Sequence, residues 1–151
     1  MQTSLLISVI AEDRPGLVDS LSAVVNQHGG NWLESNMSRL AGKFAGILRV
    51  DIDASEAPKL EAALLLLGEQ LDGLKLLIEQ VQVSTDQQQN SDALTIELVA
   101  NDLVGIVSEI SRTLAQLNIN VESFSSFCEP APMSSEQLFH SRIEIRMPST
   151  L

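Results

Sequence analysis

Residues 6–35 of this chain align without a gap with residues 95–124, so the sequence contains an internal repeat at a spacing of 89 residues. Many apolar positions of one copy remain apolar in the other, as Val9 and Leu98 illustrate. Two copies at so long a spacing indicate a duplicated domain, because solenoids need three or more stacked repeats. The identical pairs are Ile7/Ile96, Ala11/Ala100, Asp13/Asp102, Gly16/Gly105, Val18/Val107, Ser22/Ser111, Gln27/Gln116 and Asn31/Asn120.

The repeat divides the chain into two small domains. We predict the first over residues 1–85 and the second over residues 93–151, joined by a polar, glutamine-rich linker over residues 86–92. A domain of this size buries only a limited core by itself. We therefore expect the two domains to pack together as a pseudo-symmetric pair.

The first copy alternates between the sequence patterns of strands and helices. Apolar stripes predict one helix over residues 17–28 and a second that begins after Ser55 as its N-cap, with Leu65 and Leu66 broadening its apolar face. The odd-numbered face of the first strand is expected to lie beneath these helices. The order strand-helix-strand-strand-helix-strand is that of a split βαβ, or ferredoxin-like, α+β fold. The predicted strands cover residues 4–11, 32–40, 44–53 and 74–83.

The second copy follows the same order as far as its third strand. The second helix and the fourth strand have no counterpart before Leu151. In a split βαβ sheet the fourth strand lies beside the first, so the edge of the strand over residues 93–100 is expected to be covered by another chain or by the first domain. The alternative is a truncated form of a longer natural chain. The other predicted elements are a helix over residues 104–118 and strands over residues 119–128 and 137–147.

The net charge of the chain limits the kinds of partner that it can bind. The formal net charge is −11, and both halves of the sequence are acidic. Binding to duplex DNA requires a basic surface that displaces counterions from the phosphates, so direct nucleic-acid binding is not expected and any role in transcription would act through another protein. The single cysteine fits a reducing cytoplasm. No signal peptide or membrane-spanning apolar run is evident.

The turn between the first predicted strand and helix, residues 11–17, suits an anion. A helix N-terminus carries unpaired backbone N–H groups and a partial positive charge, which attract a carboxylate or a phosphate. Gly16 lets a ligand or a neighbouring backbone approach closely. A structural role is the alternative, in which Asp13 caps the helix and Gly16 permits close packing of helix on sheet. The same construction recurs over residues 100–106.

The motif Asp13-Arg14-Pro15-Gly16-Leu17-Val18, followed by Gly29-Gly30-Asn31 and the stretch from Asn31 to Phe44, resembles ACT domains. The likeness is greatest to the tandem-ACT family of the glycine cleavage system transcriptional repressor. It covers the whole first domain and about three-quarters of the second. This resemblance implies a ferredoxin-like module that binds amino acids at domain interfaces, and a regulator that acts on a DNA-binding activator protein in response to glycine.

The resemblance also places ligand contacts in the turn before the first helix and on the second strand. The N–H groups of Gly16 and Leu17 would bind the carboxylate of a small amino acid, glycine or serine, and Asp13 or Asn36 would bind its ammonium group. In the second domain, Leu103-Val104 replaces Arg14-Pro15. The predicted ligand-binding residues are Asp13, Arg14, Pro15, Gly16, Leu17, Ser35, Asn36 and Met37 in the first domain and Asn101, Asp102, Gly105 and Ile106 in the second.

A catalytic site is not expected. Cys128 and His140 are conceivable as a cross-strand nucleophile and base, but no third group would orient them. The spacing of the histidines and the cysteine gives no zinc pattern, and no phosphate-binding glycine loop is present. We therefore predict a non-catalytic, cytoplasmic, homodimeric regulator without a cofactor or a metal. The alternatives are an amino-acid-sensing module or fragment of an amino acid metabolic enzyme, and a dimerisation module that binds no ligand.

Overall fold

The chain divides into two compact units, Met1–Ser84 and Thr85–Leu151, each with its own antiparallel sheet. The computed structural model describes residues 1–82, 92–102 and 104–147. Apart from Asp92, the predicted linker over residues 86–92 lies outside these ranges. Both units combine a sheet with helices, which confirms the predicted α+β class and the ferredoxin-like arrangement of the first unit.

The first unit contains a four-stranded sheet in the order β2-β3-β1-β4. The central strand β1 pairs antiparallel with β3 on one side and with β4 on the other. This order brings the first strand and the last strand of the unit side by side, as the split βαβ prediction requires. The elements are β1 (Gln2–Glu12), α1 (Leu17–Gln27), β2 (Asn31–Leu40), β3 (Lys43–Asp53), α2 (Ala57–Gln70) and β4 (Lys75–Val81).

The core of the first unit lies between one face of this sheet and its two helices. Alternate residues of β1 and β3 point to that helix-covered face, so the predicted odd-numbered face of β1 is confirmed. Leu60 and Leu64 of α2 are fully buried against it. The buried core residues are Leu5, Ile7, Val9, Ala11, Leu17, Leu21, Val25, Leu48, Val50, Ile52, Ala57, Leu60, Leu64 and Leu74.

Two details of α2 differ from the sequence prediction. The N-cap residue is Glu56 rather than Ser55. The backbone N–H and the hydroxyl of Ser55 both donate to Oδ1 of Asp53, at 3.0 and 2.9 Å, so Ser55 stabilises the turn before the helix. Leu65 and Leu66 do not broaden the buried stripe, because the helical twist turns them away from Leu64 and toward solvent.

The second unit contains a three-stranded sheet in the order β5-β7-β6 and one helix. It repeats the first unit closely: α3 begins and ends at the residues equivalent to the ends of α1. A register shift between Val121 and Ser123 in β6 also matches the shift between Trp32 and Glu34 in β2. The elements are β5 (Ala93–Asn101), α3 (Ile106–Gln116), β6 (Asn120–Pro130) and β7 (Gln137–Arg146).

The core of the second unit is smaller and partly open. Leu114 of α3 packs on Ile143 and Ile145 of β7, with Ile110 among the partly buried neighbours. Within the described residues, no second helix covers β5. An apolar groove therefore runs beside α3, and its lining includes Ile96, Leu98, Ile110, Leu114 and Ile143.

Candidate functional site

The β1–α1 turn of the first unit is held by its backbone. The N–H of Asp13 donates to the carbonyl oxygen of Gly42 at 3.3 Å, which ties the turn to the β2–β3 hairpin. The N-cap of α1 is Gly16, and no side chain forms a capping hydrogen bond. The interpretation of Asp13 as the helix cap is therefore wrong. The uncapped N-terminus of α1 can accept an anion at its first N–H groups.

Gly16 is required by its backbone conformation rather than by close packing. Its φ of 84° lies in the left-handed region, and a Cβ built there would meet no atom within 4 Å. The predicted close helix–sheet contact at this glycine is therefore wrong, and the space beside it is open. An L-residue would cost about 1–2 kcal/mol of backbone strain. Leu17 is buried in the core, so its side chain is not available to a ligand.

Charged side chains surround this turn. Oδ2 of Asp13 lies 3.1 Å from a guanidinium nitrogen of Arg39, near the end of β2. The guanidinium of Arg14 donates to the carbonyl oxygen of Asp72, and Lys43 pairs with Glu12. Arg39 was not among the predicted site residues. The turn thus presents a carboxylate, a guanidinium and an uncapped helix N-terminus together, which complements the two charges of an amino acid.

The predicted ligand-binding residues on β2 lie farther from the β1–α1 turn. Asn36 is paired with Ile47 of β3, whereas β3 begins near the turn at Lys43, which is paired with Glu12 at the end of β1. Four residues of strand correspond to about 13 Å, so the structure does not bring Asn36 to the β1–α1 turn. Met37 is partly buried against the core, over Gly46. Ser35 is exposed. Whether these three residues contact a ligand remains a prediction.

The β5–α3 turn of the second unit repeats the backbone of the first. Gly105 is the N-cap of α3 with φ 90°, and Ile106 is its first helical residue. The N–H of Asp102 donates to the carbonyl oxygen of Gln137 at 3.0 Å. Asn101 and Asp102 line a polar recess with Glu136 and Gln137. The four predicted residues of this unit therefore lie at one end of its sheet.

The two turns differ in their charged neighbours. Cys128 occupies the position in β6 that Arg39 occupies in β2. Loss of hydration, and then the charge and hydrogen bonding of Asp102, raise the pKa of the Cys128 thiol. A thiol with a raised pKa carries little thiolate at neutral pH and is a poor nucleophile.

Cys128 and His140 are not a nucleophile–base pair. Cys128 is paired with Phe139 in the sheet, whereas His140 is paired with Phe127, so their side chains point to opposite faces. The ring of His140 stacks on that of Phe127 with a centroid distance of 4.7 Å, and its Nε2 lies 2.8 Å from Oε1 of Glu129. The cross-strand interpretation of these two residues is therefore wrong.

Among the residues that the structure describes, no group of three or more His, Cys, Asp and Glu side chains is placed to hold a metal ion. In the same part of the chain, every helix is too short or too polar to cross a membrane.

A family model matches the first unit, and two solved structures match the whole chain. Residues 3–79 match the ACT domain family. A UPF0237 protein of Methanopyrus kandleri is 30% identical over 83 residues, which are 54% of this chain and 91% of that protein. The family match confirms the resemblance to ACT domains that the turn and the second strand indicated.

Two solved structures share the fold over the whole chain. An unknown protein from Galdieria sulphuraria gives a TM-score of 0.84 at 24% identity, and the match covers 100% of this chain and 85% of that one. A candidate glycine cleavage system transcriptional repressor gives a TM-score of 0.72 at 23% identity, covering 100% of this chain and 84% of that one. At these identities the likeness shows a common fold.

Proposed function

Because this chain belongs to the ACT domain family, we propose that it is a non-catalytic regulatory protein that binds a small amino acid. The proposal places the site at the β1–α1 turn of the first unit, within the residues that match the family. One observation carries it: Asp13 and Arg39 form an ion pair beside the uncapped N-terminus of α1.

The helix N-terminus and Arg39 would bind one end of the amino acid, and Asp13 would bind the other. The N–H groups at the start of α1, together with the guanidinium of Arg39, would bind the carboxylate of the amino acid. The carboxylate of Asp13 would bind its ammonium group. The Asp13–Arg39 pair is largely exposed, and exposed pairs contribute about 0–1 kcal/mol, so a zwitterion can displace it at little cost.

Glycine and serine are the ligands that we propose. The space beside Gly16 is open, which leaves room for the small ligand at the helix N-terminus. The fold likeness to a candidate glycine cleavage system transcriptional repressor supports glycine in particular. Contacts from Asn36 and from the second-unit residues Asn101, Asp102, Gly105 and Ile106 remain proposals.

Titration calorimetry with glycine and with serine tests the site. We expect the parent protein to bind one of them, and we expect Asp13→Asn to weaken binding by about tenfold or more, since a hydrogen bond to a charged group contributes about 1.5–3 kcal/mol. The matched control is Glu79→Gln on β4, which also replaces one carboxylate by an amide. Glu79 is exposed and is paired with Leu6, six residues along β1 from Glu12, so this change should leave the affinity within about twofold.

Equal affinity in Asp13→Asn and the parent would reject the site. Failure of the parent to bind any common amino acid would reject ligand sensing. It would favour the alternative function, a dimerisation module that binds no ligand. We avoid Gly16→Val for this purpose, because a β-branched residue at φ 84° would strain the fold and confuse binding with stability.

We further propose that the protein is a cytoplasmic homodimer that represses glycine cleavage genes through a protein partner, a DNA-binding activator. The net charge of −11 opposes direct contact with DNA, whereas an acidic surface can bind a basic protein. A stand-alone regulator is favoured over a fragment of a metabolic enzyme because the Methanopyrus kandleri relative consists of little beyond the 83 aligned residues.

The purified protein alone is expected not to bind duplex DNA specifically. Its charge would repel the phosphates at every sequence. Fluorescence anisotropy of labelled promoter fragments should show no saturable binding up to about 10 µM, a concentration within the range of ordinary non-specific dissociation constants. A sequence-specific complex that weakens with added salt, formed without a partner protein, would contradict the prediction.

A further inference from the structure

A polar recess lies between α1 and the start of β2 in the first unit. Its volume of about 490 Å³ is within the range of small-molecule sites. Trp32 and Asn31 of β2 line one side, and no residue of the β1–α1 turn, residues 11–17, takes part. We call this cavity the Trp32 recess. On the other side, residues spaced three and four apart share one face of α1, and they are Asp19, Ser22, Ala23 and Asn26.

The indole of Trp32 forms an aromatic wall of the recess. Trp32 is paired with Val50 of β3, and Val50 is fully buried, so both side chains point to the helix-covered face of the sheet. Trp32 itself is only partly buried against the core. An indole that borders a polar recess offers its π surface to a cation.

Gly30 forms part of the floor of the recess. A Cβ at Gly30 would lie 2.9 Å from Cγ1 of Val25 and 2.9 Å from Cγ1 of Val50, so close packing requires glycine here. The equivalent residue in the second unit is Ile119, which packs against the core of that unit. The first unit therefore keeps bare backbone at a point where its repeat has a large side chain.

The fold does not require the side chains that line the recess. In the second unit, Trp32 is replaced by Val121 and Asn26 by Ala115. The second unit nevertheless forms the equivalent helix and strand, α3 and β6, with the same limits for the helix. The aromatic and polar side chains of the recess are thus free to serve another role in the first unit.

The polar groups of the recess are mostly acceptors. The hydroxyl of Ser22 donates to the backbone carbonyl oxygen of Asp19 at 3.0 Å, so its lone pairs remain available. Among the described residues, no hydrogen bond or ion pair reaches the carboxylate of Asp19 or the side-chain amides of Asn26 and Asn31. The lining contains one carboxylate and no basic side chain. The recess therefore complements a positively charged donor group.

We propose that the Trp32 recess binds the guanidinium group of a small guanidino compound. A guanidinium is planar, carries five N–H donors and stacks on aromatic rings. Its plane would lie on the indole of Trp32, and its edge would donate to the carboxylate of Asp19 and to the side-chain carbonyl of Asn26. An ammonium group has three donors and no flat face, so it matches this lining less well.

This site is separate from the amino acid site proposed above and goes beyond that function. The net charge of −11 raises the concentration of cations near the chain and favours this ligand over anions. Blocked derivatives keep the two sites apart in an experiment. Acetylarginine amide has a guanidinium but neither a free carboxylate nor an α-ammonium group, so it lacks both groups that the β1–α1 turn is proposed to bind.

Fluorescence titration of the full chain with acetylarginine amide tests the proposal. Trp32 is the single tryptophan, so its emission reports on the recess directly. We expect a saturable shift of this emission to shorter wavelength, because the stacked ligand displaces water from the indole. Acetylcitrulline amide has the same shape but an uncharged urea group, and we expect it to bind at least about tenfold more weakly.

A charge-removing variant tests the role of Asp19. Asp19→Asn should weaken binding of acetylarginine amide at least about fivefold, since a charge-assisted hydrogen bond is lost. The matched control is Glu69→Gln on the exposed side of α2, which does not line the recess, and it should leave the affinity within about twofold. Calorimetry with glycine should give the same result for Asp19→Asn as for the parent, because the amino acid site is elsewhere.

A second variant occupies the recess from within. Ala23 is exposed in the middle of the α1 stripe, and the equivalent residue of α3 is Arg112, so this helical position tolerates arginine. Ala23→Arg should shift the emission of Trp32 without any ligand and should abolish binding of acetylarginine amide. Ala23→Gln, which is long but uncharged, should not shift the emission. Circular dichroism checks that both variants remain folded.

Four outcomes would overturn the proposal. Equal affinity for the arginine and citrulline compounds would reject recognition of a guanidinium. Unchanged affinity in Asp19→Asn would reject the placement of its charge. Binding detected by calorimetry without any change in Trp32 emission would place the cation elsewhere on the acidic surface. Binding at least about tenfold tighter to an arginine-containing pentapeptide than to acetylarginine amide would assign the recess to a protein partner instead of a small compound.

Discussion

Replacing Gly46 with alanine is expected to destabilise the first unit by about 3 kcal/mol, at the upper end of the usual cost of overpacking. A Cβ at Gly46 would lie 2.3 Å from the carbonyl oxygen of Asn36 and 2.6 Å from Cα of Met37. Both are backbone atoms of the neighbouring strand β2, so no side-chain rotation relieves the overlap. The variant must separate β2 from β3 around this pair.

The same substitution at Gly68 is the matched control. A Cβ at Gly68 in α2 would lie 3.6 Å from its nearest neighbour, an ordinary contact, so Gly68→Ala should stabilise the unit by about 0.5–1 kcal/mol through helix propensity. Urea unfolding followed by fluorescence of Trp32, the single tryptophan, reports on the first unit. Equal midpoints for Gly46→Ala and the parent would contradict the predicted overlap.

Leu64→Ala should cost the first unit about 3 kcal/mol. Leu64 is fully buried between α2 and the sheet, and truncation of a buried leucine loses its transfer free energy and leaves a cavity. For a unit of this size we expect the melting temperature to fall by about 12–24 °C. The unfolding curve is again followed by the fluorescence of Trp32.

The adjacent Leu65 provides the control for Leu64. It is 55% exposed on the same helix, so Leu65→Ala should change stability by no more than about 0.5 kcal/mol. Similar losses for both variants would mean that the solvent-facing side of α2 is buried in the protein in solution. That outcome would contradict the one-sided packing of α2.

The periodic parts of this fold were predictable from the sequence. Alternation along β1 and β3 identifies the buried face because successive side chains of a strand point to opposite sides. The 89-residue repeat places a strand, a helix and a strand in the second copy at the positions equivalent to β1, α1 and β2. The limits of α3 are equivalent to those of α1, two residues inside the predicted range 104–118 at each end. Leu65 was wrongly predicted to be buried because it is apolar. Its angular position on α2 turns its side chain toward solvent.

The turns were harder to predict, because several polar residues compete for the same role there. Ser55 and Asp13 both suit a helix cap, but Ser55 binds Asp53 and Asp13 pairs with Arg39. Gly16 was correctly singled out for the wrong reason, since its left-handed φ rather than a close contact requires glycine.

The residue that sequence reasoning missed at the site is Arg39. It is 26 residues from Asp13, and the contact arises only because the β2–β3 hairpin returns to the end of β1. One signal was available: Arg39 lies near the end of a predicted strand beside the tight turn at Gly42, and such a position often faces the end of a neighbouring strand. Cys128 and His140 lie on neighbouring strands, but they are not cross-strand partners, because a one-residue offset sends their side chains to opposite faces.

The late position of α2 and β4 in the first unit has a consequence for synthesis on the ribosome. Until the chain reaches Val81, the nascent first unit lacks β4, and until it reaches Gln70 it also lacks α2. In that stage the edge of β1 that later pairs with β4 has no neighbouring strand, and α1 alone covers the sheet until α2 forms. At about 5–20 residues per second, adding residues 54–81 takes about 1.5–6 s. For those seconds each nascent chain carries a strand that a chaperone, or a neighbouring nascent chain, can bind.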